Sequence, residues 1–210
     1  MNSETFHIRM AAKTTQDAAP LAQEVLQATK KELGMVPNMY QYMANAPALL
    51  ATYAHGYRLF RRESGFSPVE QEVIFLVISY ENACDYCMAA HSVAADMFSK
   101  VPVAVTDAIR EGREIPDARL SALAGFVQTM VNKRGNPSPE DADNFLKAGY
   151  TEVHMLYIIQ AIAIKTISNY ANHLFRTPID TIFKAREWSG YHLAKKAFHF
   201  FSRAKGKPKG

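Results

Sequence analysis

The chain holds two cysteines, and they sit together as Cys84-Asp85-Tyr86-Cys87. His91 follows four residues after Cys87. On a helix, positions three and four apart share a face. Cys84, Cys87 and His91 therefore line one stripe, with Cys87 and His91 about 6 Å apart along the axis. Thiol chemistry runs through the thiolate, and the free N–H groups at a helix start favour that anion. A helix start also allows a disulfide. That bond wants Cβ atoms about 3.5–4.5 Å apart, while helical i,i+3 neighbours sit about 5–6 Å apart. Only the adjustable first turn closes the gap at low cost.

A second charged group belongs to this picture. Glu72 lies in the apolar run before the cysteines. On one continuous helix it would stand about 18 Å from Cys84. If the chain reverses near Asn82, Glu72 is ten residues before the turn and His91 nine after it. An antiparallel pair of helices then puts them at one height, facing one seam. A carboxylate holding His91 fixes its tautomer and raises its basicity. His91 can then serve Cys87 as base and later as acid. Such a site suits thiol peroxidase chemistry. A thiolate opens an O–O bond, the resulting sulfenic acid condenses with the second cysteine, and an external dithiol reduces the disulfide.

The elements that must position these groups read as helices. Ala18 to Leu33 is one, stopped by Gly34 at the left-handed C′ position. Pro37 and Asn38 break the chain. Pro47 opens a helix to about Arg62. Ser67-Pro68-Val69-Glu70 is a capping box with proline at the first position, so Val73 to Ile78 continues as a buried helix. Asn82 is expected to cap the next helix, which runs to about Lys100. Pro102 to Glu111 and Pro116 to Asn132 follow. Ser138-Pro139-Glu140-Asp141 starts another, ended by Gly149, and Thr151 starts a long one to about Phe175. A last amphipathic helix after Pro178 leads to a disordered end, Lys205 to Gly210. No convincing alternating run appears. The fold class is all-α: a helical bundle in which a helix-turn-helix carries the C-x-x-C at its second helix start.

Composition narrows the rest. The chain has 210 residues, 48% apolar and 21% charged, which excludes disorder over most of its length. Two cysteines exclude a multi-disulfide scaffold. No run reaches the roughly 18 apolar residues of a membrane span, and residues 1–20 contain no signal-peptide core. The expectation is a cytoplasmic protein without an integral membrane segment. Eight of the 24 Lys/Arg fall after Asp180, against one acid, Glu187. That tail is basic while the body is acidic, so nucleic acid is not expected as a partner. The expected layout is an N-terminal segment 1–18, a helical domain 19–180, and a basic C-terminal helix and tail 181–210. Trp188, Tyr191, Phe198, Phe200 and Phe201 give that tail an apolar side, read as solvated or subunit packing.

Glu72, Cys84, Cys87 and His91 fill the pattern E-x11-C-x-x-C-x3-H. This resembles the AhpD-like alkylhydroperoxidases of the carboxymuconolactone decarboxylase family. GMVPNMYQYMANAPALL, FSPVEQEVIFLVISYENACDYCMAAHSVAA and AGYTEVHMLYIIQAIAIKTISNYANHL extend the likeness to its peroxidase-related branch, from about Ala19 to Asp180. The resemblance implies an AhpD-like helical bundle, a homo-oligomer such as a trimer or hexamer, and no haem or flavin; no metal ligand set is expected. It implies that Cys87 becomes the sulfenic acid, that Cys84 donates a proton and resolves, and that Glu72 and His91 form the proton relay. The implied partners are a small hydroperoxide and a dithiol, lipoyl-type or thioredoxin-like reductant. Alkylhydroperoxidases carry histidine where this chain has Tyr86, a possible auxiliary residue here. Decarboxylases of the family lack the cysteine pair, which sets decarboxylation aside.

Other readings stand beside this one. The dithiol can be a non-catalytic redox sensor, a partial zinc site, or inert packing. Asn169, Asn172 and His173 read as cap or core satisfaction, and His55 and His154 as structural. Tyr40, Tyr42, Tyr53, Tyr57 and Phe60 read as core or subunit interface, with the lining of an apolar pocket as the alternative.

Overall fold

The structure, a computed structural model, describes residues 5–187. Among these there are α-helices, a π-helical turn and a 3₁₀ segment, and no strand. In chain order the helices are α1 (Pro20–Leu33), α2 (Asn38–Met43), α3 (Pro47–Glu63), α4 (Pro68–Glu81), α5 (Asp85–Ala94), α6 (Val103–Glu111), α7 (Ala118–Asn132), α8 (Pro139–Lys147) and α9 (Glu152–Phe175). The all-α class holds. No helix among the described residues is long and apolar enough to cross a membrane.

The caps fall where the side chains require. Ser67 accepts from the Glu70 N–H while the Glu70 carboxylate accepts from the Ser67 N–H. Ser138 and Asp141 make the same reciprocal pair, and Thr151 does so with His154. Gly34 ends α1 at φ 75°. Each cap satisfies backbone groups that a helix end leaves open.

Helix α4 is the centre. Every residue from Glu70 to Ser79 is buried, and α4 packs against α5, α6, α7 and α9. Its Glu70 also accepts from the Tyr150 hydroxyl at 3.0 Å and pairs with Arg119 at 2.9 Å. This fixes the start of α4 to α7 and to the residues just ahead of α9.

The reversal between α4 and α5 takes three residues. Asn82 ends α4, Ala83 turns left-handed at φ 56°, and Cys84 caps α5. The Cys84 N–H donates to the Ser79 carbonyl at 2.9 Å and the Ala83 N–H to Tyr80 at 3.0 Å. A left-handed alanine costs about 1 kcal/mol, and His173 braces it, its Nε2 lying 3.2 Å from the Ala83 carbonyl.

Three expectations need correction. Asn82 does not cap α5; its amide reaches across to Asn169 Oδ1 at 2.9 Å, and the cap position falls to Cys84. The helix expected to reach Lys100 stops being α-helical at Ala94 and continues as a π turn, Ala95–Ser99, ended by Lys100 at φ 55°. Asn38, expected as a breaker, begins α2. Its N–H is received by the Asp180 carboxylate at 3.1 and 3.2 Å, an acceptor 142 residues away that no local reading supplies.

After Pro178 the chain forms a 3₁₀ segment, Thr181–Arg186. Phe183 packs edge-on against Tyr86, and Arg186 pairs with Asp96 at 2.8 Å and Asp107 at 2.9 Å. The expected C-terminal helix and disordered end, with Trp188 and Tyr191, lie outside the described residues.

Helices α3 and α9 approach closely at Gly56. A Cβ there would stand 2.7 Å from Ile164 Cγ2, and Gln160 Nε2 donates to the Gly56 carbonyl at 3.2 Å. Gly56→Ala should therefore push the helices apart and cost about 1–3 kcal/mol, despite the better helix propensity of alanine. Urea unfolding checks this; an unchanged or higher midpoint would contradict the close approach.

Candidate active site

The reversal brings Glu72 and His91 together. Glu72 Oε2 lies 2.8 Å from His91 Nδ1. Its other oxygen accepts from Arg61 of α3. Arg61 is held in turn by Tyr57 Oη at 2.6 Å and Gln71 Oε1 at 3.1 Å, and it lies over the Tyr57 and Phe75 rings. Glu72 is 1% exposed and His91 8%. Burial pushes the Glu72 carboxyl up, but His91 and Arg61 outweigh it and the net shift is downward. Glu72 is therefore ionised. An ionised carboxylate only accepts, so Nδ1 carries the hydrogen and Nε2 keeps its lone pair. Burial, with the nearby Lys165 charge, lowers the pKa of His91, and Glu72 opposes this only in part. The imidazole is neutral and ready to take a proton.

The two thiols are both buried and both reduced. They are not equivalent. Burial and the adjacent Cys87 push the Cys84 thiol well up. Burial acts on Cys87 in the same direction, but the Cys84 hydrogen bond, the Lys165 ammonium and His91 overturn it, and Cys87 moves well below the ordinary thiol range. The two thiols are thus pushed in opposite directions, Cys87 toward the anion and Cys84 toward the protonated form.

Helix α9 faces this pair with a polar stripe. Asn172 Nδ2 lies 3.3 Å from Cys87 Sγ and 3.8 Å from Cys84 Sγ, and Ser168 Oγ lies 4.0 Å from Cys87 Sγ. Lys165, Ser168, Asn169 and Asn172 are all buried and follow the helical i, i+3, i+4, i+7 pattern. Asn172 was expected as cap or core satisfaction; what it satisfies is sulfur. Arg61 and Lys165 carry no signal in a motif search. Their sign in the sequence is a charge placed on a face that the neighbouring residues mark as buried.

Tyr86, the possible auxiliary residue, is committed elsewhere. Its hydroxyl donates to Asp180 and lies 3.4 Å from the Met39 N–H. Burial and the Asp180 charge push the phenol far above its ordinary pKa. It ties α5 to the segment ahead of Thr181. Neither His55 nor His154 enters the site; His154 belongs to the Thr151 cap.

A cavity of about 500 Å³ opens beside these groups. Glu72, His91, Arg61, Tyr40, Tyr53, Tyr57 and Tyr86 line it. Three of the tyrosines read as core or pocket are thus on its wall, while Tyr42 packs on Phe175 elsewhere. Neither cysteine lines the cavity; Cys87, 2% exposed, lies in the turn of α5 between Tyr86 and His91. Among the described residues no group of three His, Cys, Asp or Glu side chains is placed to hold a metal ion.

No protein-family model and no curated protein matches the chain. Solved structures do. A peroxidase-related protein from Ralstonia eutropha JMP134, described as an alkylhydroperoxidase AhpD core, matches with a TM-score of 0.73 at 20% identity, over 83% of this chain and 93% of its own. The fold is that of the AhpD core. A second AhpD-like match is an uncharacterized peroxidase-related protein from Silicibacter sp. TM1040, with a TM-score of 0.68 at 22% identity over 87% of this chain and 98% of its own. The debrominase Bmp8, as a Cys-to-Ala variant in complex with 2,3,4-tribromopyrrole, matches at 0.69 and 17% identity over 87% and 97%. The AhpD-like scaffold is therefore shared by proteins described in different chemical terms.

The lowered pKa of His91 has a sign in stability. Unfolded histidine binds a proton near pH 6.5, whereas native His91 binds one only at lower pH. Its contribution is whole above about pH 6.5 and is lost as pH falls toward the native value, by at most about 1.4 kcal/mol per unit of separation. Urea unfolding at pH 7.5 and 5.5 should show a smaller acid loss in His91→Gln than in the parent chain. An equal loss would mean that His91 is not held neutral.

Proposed function

We propose that the protein is a thiol-dependent hydroperoxide reductase whose dithiol is Cys84 and Cys87. The observation that carries this reading is the 2.8 Å bond between Glu72 and His91, with His91 one helical turn from a buried pair of free thiols. His91 Nε2 takes the Cys87 proton, and Glu72 steadies the imidazolium that forms. The Cys87 thiolate attacks the hydroperoxide, the O–O bond breaks, and sulfur leaves with one oxygen as sulfenic acid. The departing alkoxide takes the proton of Cys84 and becomes an alcohol. The Cys84 thiolate then attacks the Cys87 sulfur, closing the disulfide. The displaced hydroxide takes the proton held on His91 and leaves as water. An external dithiol reduces the disulfide and closes the cycle. The hydroperoxide reaches Cys87 from the cavity, past Tyr86 and His91.

The test is turnover of an organic hydroperoxide with a dithiol, paired with mass analysis of the thiols. Cys87→Ser should lose turnover by about a thousandfold or more. Cys84→Ser should stop after one turnover with a trappable sulfenic acid on Cys87. Glu72→Gln should slow the reaction about 10²–10⁴-fold, the range for a displaced acid-base group. Unchanged turnover in Cys87→Ser ends this reading. Disulfide formation without turnover would leave the redox-sensing alternative.

One observation favours a second reaction at the same dithiol. The cavity is walled by the rings of Tyr40, Tyr53, Tyr57 and Phe183, with Arg58 and Arg62 also lining it. Such a wall fits a planar aromatic ring. For a bromopyrrole of the kind bound by Bmp8, the dithiol would give two electrons and become the disulfide, hydrogen would replace bromine on carbon, and bromide and a proton would leave. Bromide release on adding a bromopyrrole to the reduced protein, at one bromide per disulfide, checks this. No bromide above the Cys87→Ser background would reject it.

A further inference from the structure

One buried charge has no part in the chemistry above. Lys165 is fully buried in α9, and its Nζ has no hydrogen-bond partner. An ammonium in such a place is strongly unfavourable unless an opposite charge faces it. Its Nζ lies 5.6 Å from the centre of the Phe75 ring, and that ring lies 4.9 Å from His91. Further along the same face of α9 come Ser168, 4.0 Å from Cys87 Sγ, and Asn172, 3.3 Å from it. Asn169, between them on that face, also favours the Cys87 anion through its side chain.

The other charged and titratable groups packed around the site are spent. Glu72 of α4 is divided between Arg61 of α3 and His91 of α5. Arg61 also engages Tyr57, and Tyr53 is an uncharged phenol raised by burial. Asp180 receives the Tyr86 hydroxyl and the Asn38 N–H. On α5, Asp85 has a partner of its own, and what the α9 stripe meets is the two sulfurs.

We propose that Lys165 is the counter-charge of Cys87, holding its thiolate and, with the amides of Asn169 and Asn172, seating the oxygen that Cys87 takes up. The lowering of the Cys87 thiol has Lys165 among its causes, against the upward push of burial and after the Cys84 hydrogen bond. A redox consequence follows. The disulfide is uncharged, so oxidation strips Lys165 of its partner. The reduced form is favoured, and the pair is a stronger oxidant than it would be without this lysine. The inference rests on the dithiol reading above but not on the peroxide as substrate.

The experiment uses the full reduced chain and the variants Lys165→Met, Lys165→Gln and Lys165→Arg. Three quantities are read: thiolate absorbance against pH, the rate of Cys87 alkylation by iodoacetamide at pH 7 by mass analysis, and the dithiol–disulfide ratio in a glutathione buffer. Met and Gln should raise the thiolate midpoint by more than about one pH unit, slow alkylation about tenfold, and move the ratio toward disulfide about tenfold. Arg should keep most of the parent behaviour, which a packing role alone would not explain. Met replaces the buried ammonium by an apolar chain of similar length, and Gln gives an independent neutral variant. Parent-like midpoints in Met and Gln overturn the inference while leaving the dithiol reading intact. A parent thiolate that itself titrates near pH 8.5 overturns the dithiol reading first.

Discussion

A carboxylate stays ionised inside a protein only when both its oxygens are answered. Glu72 meets that condition with one partner on each side: a guanidinium from α3 and an imidazole from α5. The requirement reaches outward. Arg61 is itself half-buried and needs Tyr57 and Gln71 to complete it. Gln71 in turn donates to the carbonyls of Arg61 and Phe66, closing the corner between α3 and α4. The sulfurs sit at the far end of this chain of obligations, with α9 supplying what α4 and α5 do not.

Much of this was legible, and the reasons are local. The Ser67 and Ser138 caps, the proline-led helix starts and Gly34 all act through neighbours within four residues. The register of Glu72 with His91 needed one assumption, a reversal near Asn82. Counting residues from that point placed both groups at one height. What escaped is what long-range contacts decide. Asp180 starts α2 from the other end of the chain. Tyr86 takes the same carboxylate and so becomes a tie rather than an acid. The stripe of Lys165, Ser168, Asn169 and Asn172 is not read from the sequence, because spacing does not say which helix lies opposite. Arg61 looked like any basic residue in a last turn until the Glu72 oxygen was seen against it.

Fold and chemistry part company in this scaffold. Peroxidase-related proteins and a debrominase share its helices. A dithiol on a short reversed helix pair is a source of two electrons whatever accepts them. The acceptor is selected by the walls around it, here phenol rings and guanidinium groups. The walls come from α1, α2 and α3 as well as from α5, whereas the sulfurs sit at the start of α5, so much of the wall can vary without the dithiol.

The bare backbone of Gly56 against Ile164 works as a mechanical detent. With no side chain to ride over, one rod cannot slip along the other by a residue step without collision. Five residues onward from the glycine stands Arg61; one onward from the isoleucine stands Lys165. The spacing between the two interior cations is thus indexed by a contact that carries no charge at all.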